Sequence, residues 1–332
     1  MSKTILTGVK PTGITHIGNY FGALEPALRR AAEYDQSFWF IANYHALNQI
    51  QDRELLEHNT LSIAATWLAC GLDPSTANLY VQSDIPEIFE LETILNSFTP
   101  KGWMNKAHAY KAASDSNEAA GRPSDEGVSM GLYTYPILMA ADILIFDAEV
   151  VPVGKDQVQH VEIARDIAQR VNHQFDQDLF VLPQYKIEEE VGTILGVDGR
   201  KMSKSYDNVI PLFATAEDRQ AAINKIVTDS SAPQENKTVE GTTLFSLFEL
   251  VSSEDAATTL KADLENGRMG WGDAKKQLGD NMQKYFSDMT DRYNTLMSNP
   301  DEIKNILSNG AEKVRPIAQS HLKKLRQTMG II

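Results

Sequence analysis

Along the first two-thirds of the chain, short apolar runs alternate with longer segments that are apolar on one side only. Residues 4–8, 37–42, 77–82 and 150–153 are continuous apolar or β-branched runs, which predict strands buried on both faces. Helical patterns lie between them. Asp52 stands ahead of a periodic segment that runs to about Cys70, where Gly71 and Pro74 supply a stop. Further helices are expected to open near Gly18 and near Pro86. Over residues 157–171, Val158, Val161, Ala164, Ala168 and Val171 form an apolar stripe at spacings of three and four. Strand–helix alternation of this kind predicts an open, parallel α/β sheet. Beyond Pro211 the strand signals fade. Thr215 to Asp218 reads as a helix start, and residues 216–227, 243–251, 271–297, 303–307 and 311–329 carry helical patterns. The expected organisation is therefore an α/β domain over 1–210 followed by an all-α domain over 211–332, whose last helix can pack back on the first domain. Residues 112–129, small and polar, are expected to form a mobile loop. The most apolar stretch, 131–153, is interrupted by Asp142, Asp147 and Glu149 and so predicts core and not a membrane span.

Composition narrows the class. The 332 residues include 31 Lys and Arg against 45 Asp and Glu, for a net charge of −14. That balance argues mildly against a nucleic-acid partner, but the charge is uneven: residues 211–332 hold 15 basic and 17 acidic residues. From Lys313 onward there is no acidic residue, only Lys313, Arg315, Lys323, Lys324 and Arg326. This strip is either a solvated helix end with a favourable dipole or a phosphate-contacting surface. A single cysteine, Cys70, excludes an internal disulfide and any multi-cysteine metal site. It fits a reducing compartment. The N-terminal segment lacks a long apolar stretch, so no secretory signal is expected and the cytoplasm is the expected location.

Two constellations carry candidate chemistry. The first is Lys10-Pro11-Thr12-Gly13-Ile14-Thr15-His16-Ile17-Gly18-Asn19-Tyr20, directly after the first strand. Gly13 and Gly18 have P-loop spacing, but Asn19-Tyr20 stands where lysine and a hydroxyl residue are needed, and no GxGxxG occurs. His16-Ile-Gly18-Asn19 at a helix start can offer amide, His and Asn donors to phosphate oxygens; an incidental histidine in a turn is the plainer reading of it alone. The second is Asp198-Gly-Arg-Lys201-Met202-Ser203-Lys204-Ser205. Two lysines three apart on a glycine-flanked loop can follow charge developing on a transferred phosphate.

Together, His16–Asn19 and the intact KMSKS string at Lys201–Ser205 resemble the signatures of the class I aminoacyl-tRNA synthetases. Tyr135-Pro-Ile-Leu-Met139-Ala-Ala-Asp142 and Val151-Pro-Val-Gly154-Lys155-Asp156-Gln157 narrow the resemblance to the tryptophanyl family. It covers the whole catalytic part and implies a Rossmann-like sheet domain, a helical tRNA anticodon-binding domain and a homodimer. The dimer could draw on Phe89, Leu91, Phe98, Trp103 and Met104. The implied ATP residues are Lys10, Pro11, Thr12, Gly18, Asn19, Gly154, Lys155, Asp156, Ile194, Lys201, Met202, Ser203, Lys204 and Ser205, with Lys111 as a further phosphate lysine and Mg²⁺ carried on the phosphates. His16, Asn19, Lys111, Lys201 and Lys204 would be catalytic. For L-tryptophan the resemblance implies Asp142 on the indole N–H, Met139 and Leu6 along the ring, Tyr135 and Gln157 on the amino group and His45 near the carboxylate. Independently, one carboxylate in an apolar run suits a large apolar ligand with one N–H donor. The chain departs from many family members at Leu6, Lys10 and His16, where Phe, Gln and Thr are common.

The implied reaction charges tRNA(Trp) with tryptophan through an adenylate. A tyrosyl-tRNA synthetase would share the fold but need a phenol-directed pair. A small-molecule nucleotidyltransferase would not need the helical third. A non-catalytic sensor or RNA-binding paralogue could lose its lysines, yet Lys201 and Lys204 are present.

Overall fold

The computed structural model describes residues 3–13, 15–187 and 194–331. Its strands are β1 (Thr4–Val9), β2 (Gln36–Ile41), β3 (Asn78–Val81), β4 (Val150–Val153) and β5 (Gln184–Ile187). They pair in the order β3-β2-β1-β4-β5, all parallel. Thr4 faces Gln36 and Val9 faces Ile41, so β1 and β2 stay in register along their length. The continuous apolar run Ser37–Ile41 is buried because helices cover both faces of a parallel sheet. β5 is an unforeseen strand: all four of its residues are exposed, so no apolar run marks it. The chain steps outward from β1 through β2 to β3 and then crosses to β4 on the other side. Ligands of open parallel sheets bind at the carboxyl ends of the strands beside this reversal.

Besides helical stretches at Ile17–Asn19, Glu25–Ala31 and Lys101–Met104, the helices in order are α1 (Asn43–Ala46), α2 (Arg53–Ala69), α3 (Glu87–Asn96), α4 (His108–Ala119), α5 (Met130–Leu144) and α6 (Val158–Phe175). Then come α7 (Ala216–Asn224), α8 (Thr243–Val251), α9 (Glu254–Glu265), α10 (Trp271–Ser298) and α11 (Pro300–Met329). Asp52 caps α2 by accepting from the Leu55 amide, and Thr215 caps α7 by accepting from Asp218, both as the sequence predicts. The expected loop at 112–129 is instead helical as far as Ala119, since alanines favour a helix there. Buried Asn117 donates to the carbonyl oxygens of Ser124 and Glu126 and so fixes the turn that follows.

Two compact units make up the chain: Met1–Gly13, Ala27–Glu188 and Asn299–Ile332 in the first, Ile14–Pro26 and Glu189–Ser298 in the second. This division differs from a boundary at 210/211 in two places, since the His16 turn and the KMSKS loop fall in the second unit. α11 falls in the first, where a last helix packed back on the sheet domain would lie. α11 packs on β3, α2 and α3. It reads as two helices in sequence because of Gly310, yet it is continuous: a Cβ on Gly310 would run into the Leu79 carbonyl oxygen, so the glycine lets the helix lie directly on β3. The core of the first unit joins Leu6, Phe38, Tyr80, Ile143, Leu144 and Val314. Leu91 and Met104 belong to that core, at 0% and 2% exposure, and so drop out as dimer contributors. Among the described residues no helix is long and apolar enough to cross a membrane.

Most of the C-terminal basic strip is engaged within the first unit. Arg315 pairs with Glu87 at 3.0 Å, and Arg326 binds the Glu90 carboxylate with two nitrogens. Lys313 and Lys324 donate to the carbonyl oxygens of Pro74 and Asp178. These contacts tie the strip to the first unit while Arg315 and Arg326 stay about half exposed; the helix itself is seated by Val314, Ala318, Leu322 and Leu325, all buried in the core.

Candidate active site

In the first unit the carboxyl ends of the strands place the candidate residues. β1 leads into Lys10–Gly13, β2 into α1 with His45, β3 into Gln82 and β4 into Gly154–Gln157. Asp142 comes from α5 and is 0% exposed. Its carboxylate accepts from Gln82 Nε2 on both oxygens, at 2.9 and 3.0 Å, and meets His45 Nε2 at 3.0 Å. Gln82 is itself oriented, since its Oε1 accepts from the Tyr44 amide. Asn43 and Ser83 exchange two further bonds that tie α1 to the end of β3. Burial raises the Asp142 carboxyl above its usual range, while His45 and Gln82 pull it back. Burial also raises nearby Glu92, and the Asp142 charge adds to the effect. A carboxylate has roughly four acceptor directions. Three of them are used, so one more donor can be taken. Leu6 and Met139 pack in the same apolar surround, Leu6 at 1% exposure.

Tyr135, also on α5, is half-buried. Its hydroxyl meets His160 Nε2, and the two rings lie 5.0 Å apart. Burial lowers His160 to a pKa of about 4, with repulsion from His108 contributing next. Gln157 donates to Asp156 at 3.0 Å. A Cβ on Gly154 would approach Asp156 Oδ1 to 2.8 Å, so glycine keeps that loop tight against the carboxylate. Lys10, Thr12, Lys155 and Asp156 are exposed, and Pro11 is buried. Lys111 lies on the open face of α4 and pairs with Asp115 one turn on, at 2.9 Å, which raises its pKa.

In the second unit His16 and Asn19 bond to each other. The Asn19 amide donates to His16 Nδ1 at 3.3 Å, and the His16 amide donates to Asn19 Oδ1 at 3.2 Å. This reciprocal cap uses groups that the sequence offered to phosphate. What remains is narrower: Asn19 keeps its Nδ2 donor, and His16, accepting at Nδ1, carries its proton on Nε2. Burial and then repulsion from Lys204 lower His16 to a pKa of about 4, so the ring is a neutral donor at pH 7. The Ile17 amide donates to the Ile210 carbonyl and Leu212 to that of Thr15, which fixes the turn against the strand-like run after KMSKS.

The KMSKS segment is a built loop. Leu195 bridges Lys201, and the Met202 amide donates to the Ile194 carbonyl at 2.9 Å, which sets these two residues side by side. Met202 is buried at 4%. A Cβ on Gly18 would meet His16 Nδ1 at 3.0 Å and Met202 Cβ at 3.2 Å, so glycine is what lets the His16 turn and the loop approach. Asn208, 1% exposed, spans the loop: it accepts from the Ser203 amide at 2.8 Å and donates to Asp198 and to the Lys201 carbonyl. Bonds from Asn208 and then Arg200 bring Asp198 down to a pKa of about 2. Arg200 also stacks on the Tyr206 ring at 4.3 Å. Ser203 Oγ accepts from the Ser205 amide, turning the chain so that Lys204 opens a single helical turn. The Lys204 side chain is exposed overall, yet partial burial of its ammonium lowers its pKa. The loop thus presents a partly desolvated lysine ammonium.

Gln82 and Asn208 are not singled out from sequence, while His160, like His173, reads there as a structural histidine; the fold places its Nε2 on the Tyr135 hydroxyl. Gln82 could have been found from its place just past β3, where parallel sheets bind ligands. Nothing local marks the other two. Among the described residues there is no group of three or more His, Cys, Asp or Glu able to hold a metal ion.

The family description "tRNA synthetases class I (W and Y)" matches residues 2–287. The tryptophan–tRNA ligase of Bordetella parapertussis is 49% identical over 100% of this chain and 74% of its own length. That of Neisseria meningitidis is 48% identical over 99% of this chain and 98% of its own. Among solved structures, tryptophanyl-tRNA synthetase from Campylobacter jejuni complexed with ADP and tryptophan superimposes with a TM-score of 0.91. It is 43% identical, covering 98% of this chain and 99% of that one.

Proposed function

Because the chain belongs to the class I tRNA synthetases of the tryptophan and tyrosine type, we propose that it attaches L-tryptophan to tRNA(Trp) through a tryptophanyl-adenylate. The tryptophan carboxylate attacks the α-phosphate of ATP and pyrophosphate leaves. The 2′-hydroxyl of the terminal adenosine of tRNA then takes the tryptophanyl group, and AMP is released. The observation that carries the tryptophan reading is the buried Asp142 carboxylate, oriented by Gln82 and His45 with one acceptor direction left in an apolar surround. Indole supplies the single N–H such a site needs, and leaving the carboxylate's last buried acceptor direction unfilled would disfavour phenylalanine.

Roles follow for each unit. In the first, Asp142 accepts the indole N–H, Leu6 and Met139 flank the ring, Tyr135 and Gln157 hold the α-ammonium, and His45 stands near the carboxylate. Gly154, Lys155 and Asp156 serve the ribose of ATP, and Lys10, Pro11 and Thr12 its phosphates. Lys111 adds a phosphate contact once it leaves Asp115. In the second, Ile194 and Met202 take the adenine, while Gly18, Asn19, His16 and the Lys201–Ser205 loop serve the phosphates. No side chain forms a covalent bond to substrate. Rate comes from positioning and from lysine charge matched to the departing pyrophosphate. Mg²⁺ enters with ATP as part of the substrate. Helices α7–α10 take the anticodon arm. The working form is a cytoplasmic homodimer, which the exposed apolar side chains of Tyr44, Leu47 and Met130 support.

Amino-acid-dependent exchange of labelled pyrophosphate into ATP tests the reading. Exchange is expected with tryptophan and not with tyrosine or phenylalanine. Exchange driven by tyrosine would move the activity to the sister specificity, and none with any amino acid would leave a non-catalytic paralogue.

A further inference from the structure

We propose that His160 is a positioning residue for amino-acid recognition: it accepts the Tyr135 hydroxyl proton and so turns the tyrosine oxygen lone pairs toward the α-ammonium of the substrate. The inference rests on the assignment of Tyr135 to the ammonium. His160 lies in the first turn of α6, immediately after Gln157, and is 2% exposed. Its Nε2 is in contact with the Tyr135 hydroxyl. An ammonium has three donors and no acceptor, whereas a phenol has one proton and two lone pairs. Tyr135 can therefore serve the substrate only if its own proton points elsewhere, and His160 Nε2 is the partner in place.

That arrangement needs an unprotonated Nε2. A protonated His160 would donate to Tyr135, swing the phenol proton toward the substrate and put a second cation beside the ammonium. The charges around the ring decide the matter. His108, Lys10 and His45 oppose protonation, Asp156 favours it, and burial opposes it most; the result is a neutral ring at pH 7. His160 Nδ1 is buried without a hydrogen-bond partner among the described residues, so none of those residues fixes from that side which nitrogen carries the proton. The bound ammonium makes that choice, selecting the Nδ1–H form. His160 thus favours α-amino acids over ligands that have the indole and carboxylate alone.

The test measures affinity for L-tryptophan and for indole-3-propionate, which lacks only the ammonium, by calorimetry on the native protein, His160→Phe, His160→Gln and Tyr135→Phe. Loss of a hydrogen bond to a charged group predicts that His160→Phe and Tyr135→Phe weaken L-tryptophan by about 10- to 100-fold while indole-3-propionate changes by less than about 3-fold. His160→Gln, whose carbonyl oxygen can stand where Nε2 stands, is expected to restore most of the L-tryptophan affinity. In the native protein, ¹⁵N shifts of the His160 ring are expected to move to the Nδ1–H pattern on addition of L-tryptophan and not of indole-3-propionate. ATP affinity checks that each variant is folded. Equal weakening of both ligands, an unaffected His160→Phe protein, or ring shifts indifferent to the ammonium would overturn the inference. A native protein that binds neither ligand would instead overturn the tryptophan assignment itself.

Discussion

At the scale of single residues, Asp142 is fully buried and held from two sides. Its carboxylate is held by a glutamine that begins 60 positions away and a histidine 97 positions away, so its geometry is set before any ligand arrives. Asp142→Asn keeps one acceptor oxygen but turns an NH₂ toward donors already in place. The KM for tryptophan in pyrophosphate exchange is expected to rise by about 10- to 100-fold, since a charged hydrogen bond is lost, while the KM for ATP changes little. An unchanged tryptophan KM would remove the indole assignment. The two buried histidines make a separate prediction about stability. His16 and His160 sit at about 4 when folded against a usual 6.5. The unfolded chain therefore binds the extra protons between pH 4 and 6.5, and stability falls as pH falls through that window. Each histidine contributes a slope of up to about 1.4 kcal/mol per pH unit. Denaturant unfolding of the native protein and of His160→Gln across that range checks it: the variant should show the shallower slope.

Elements show where sequence patterns mislead. The buried strands were legible because parallel strands covered on both faces must be apolar throughout, and the capped helices were legible at Asp52 and Thr215. β5 was not, since an exposed edge strand of Gln-Tyr-Lys-Ile has no apolar pattern to show. α11 appears broken at Gly310 because glycine signals a helix end, whereas here it permits contact with β3. Gly310→Ala should accordingly destabilise the protein, contrary to the usual helix-propensity gain, by about 1–3 kcal/mol as an overpacked site. Equal or higher stability of that variant would mean the close contact is absent in solution. For the candidate site, KMSKS, His16–Asn19 and the Asp142 segment stand out in the sequence as candidates. Their partners do not, because Gln82 and Asn208 are ordinary polar residues, and His160 reads as a structural histidine, until the fold brings them beside those groups. The phosphate role expected for the His16 turn also shrank, since the cap between His16 and Asn19 is invisible until the turn is formed. The KMSKS loop yields a kinetic prediction. Lys204→Ala should lower single-turnover adenylate formation by about 10²- to 10³-fold, as for other lost transition-state donors, with a much smaller effect on ATP affinity. Asn208→Ala should lower the same rate less, by freeing the loop that carries Lys204. Weakened ATP binding with a normal saturated rate would make the loop a substrate clamp.

Taken whole, the molecule divides its chemistry between its units. The sheet unit holds the residues assigned to tryptophan on α1, α5 and the ends of β3 and β4. The second unit holds the phosphate-directed turn and loop together with the helices assigned to tRNA. Arg315 and Arg326 pair with Glu87 and Glu90 while half exposed, so charge reversal there should cost only about 1 kcal/mol per pair of thermal stability, the helix staying seated by its buried apolar face. Which amino acid is joined to which acceptor is measured most directly by aminoacylation of purified tRNA(Trp) with labelled amino acids and ATP. Formation of tryptophanyl-tRNA, ATP-dependent and absent with labelled tyrosine, is the predicted result. Tyrosine transfer, or tryptophanyl-adenylate that never reaches the tRNA, would contradict it.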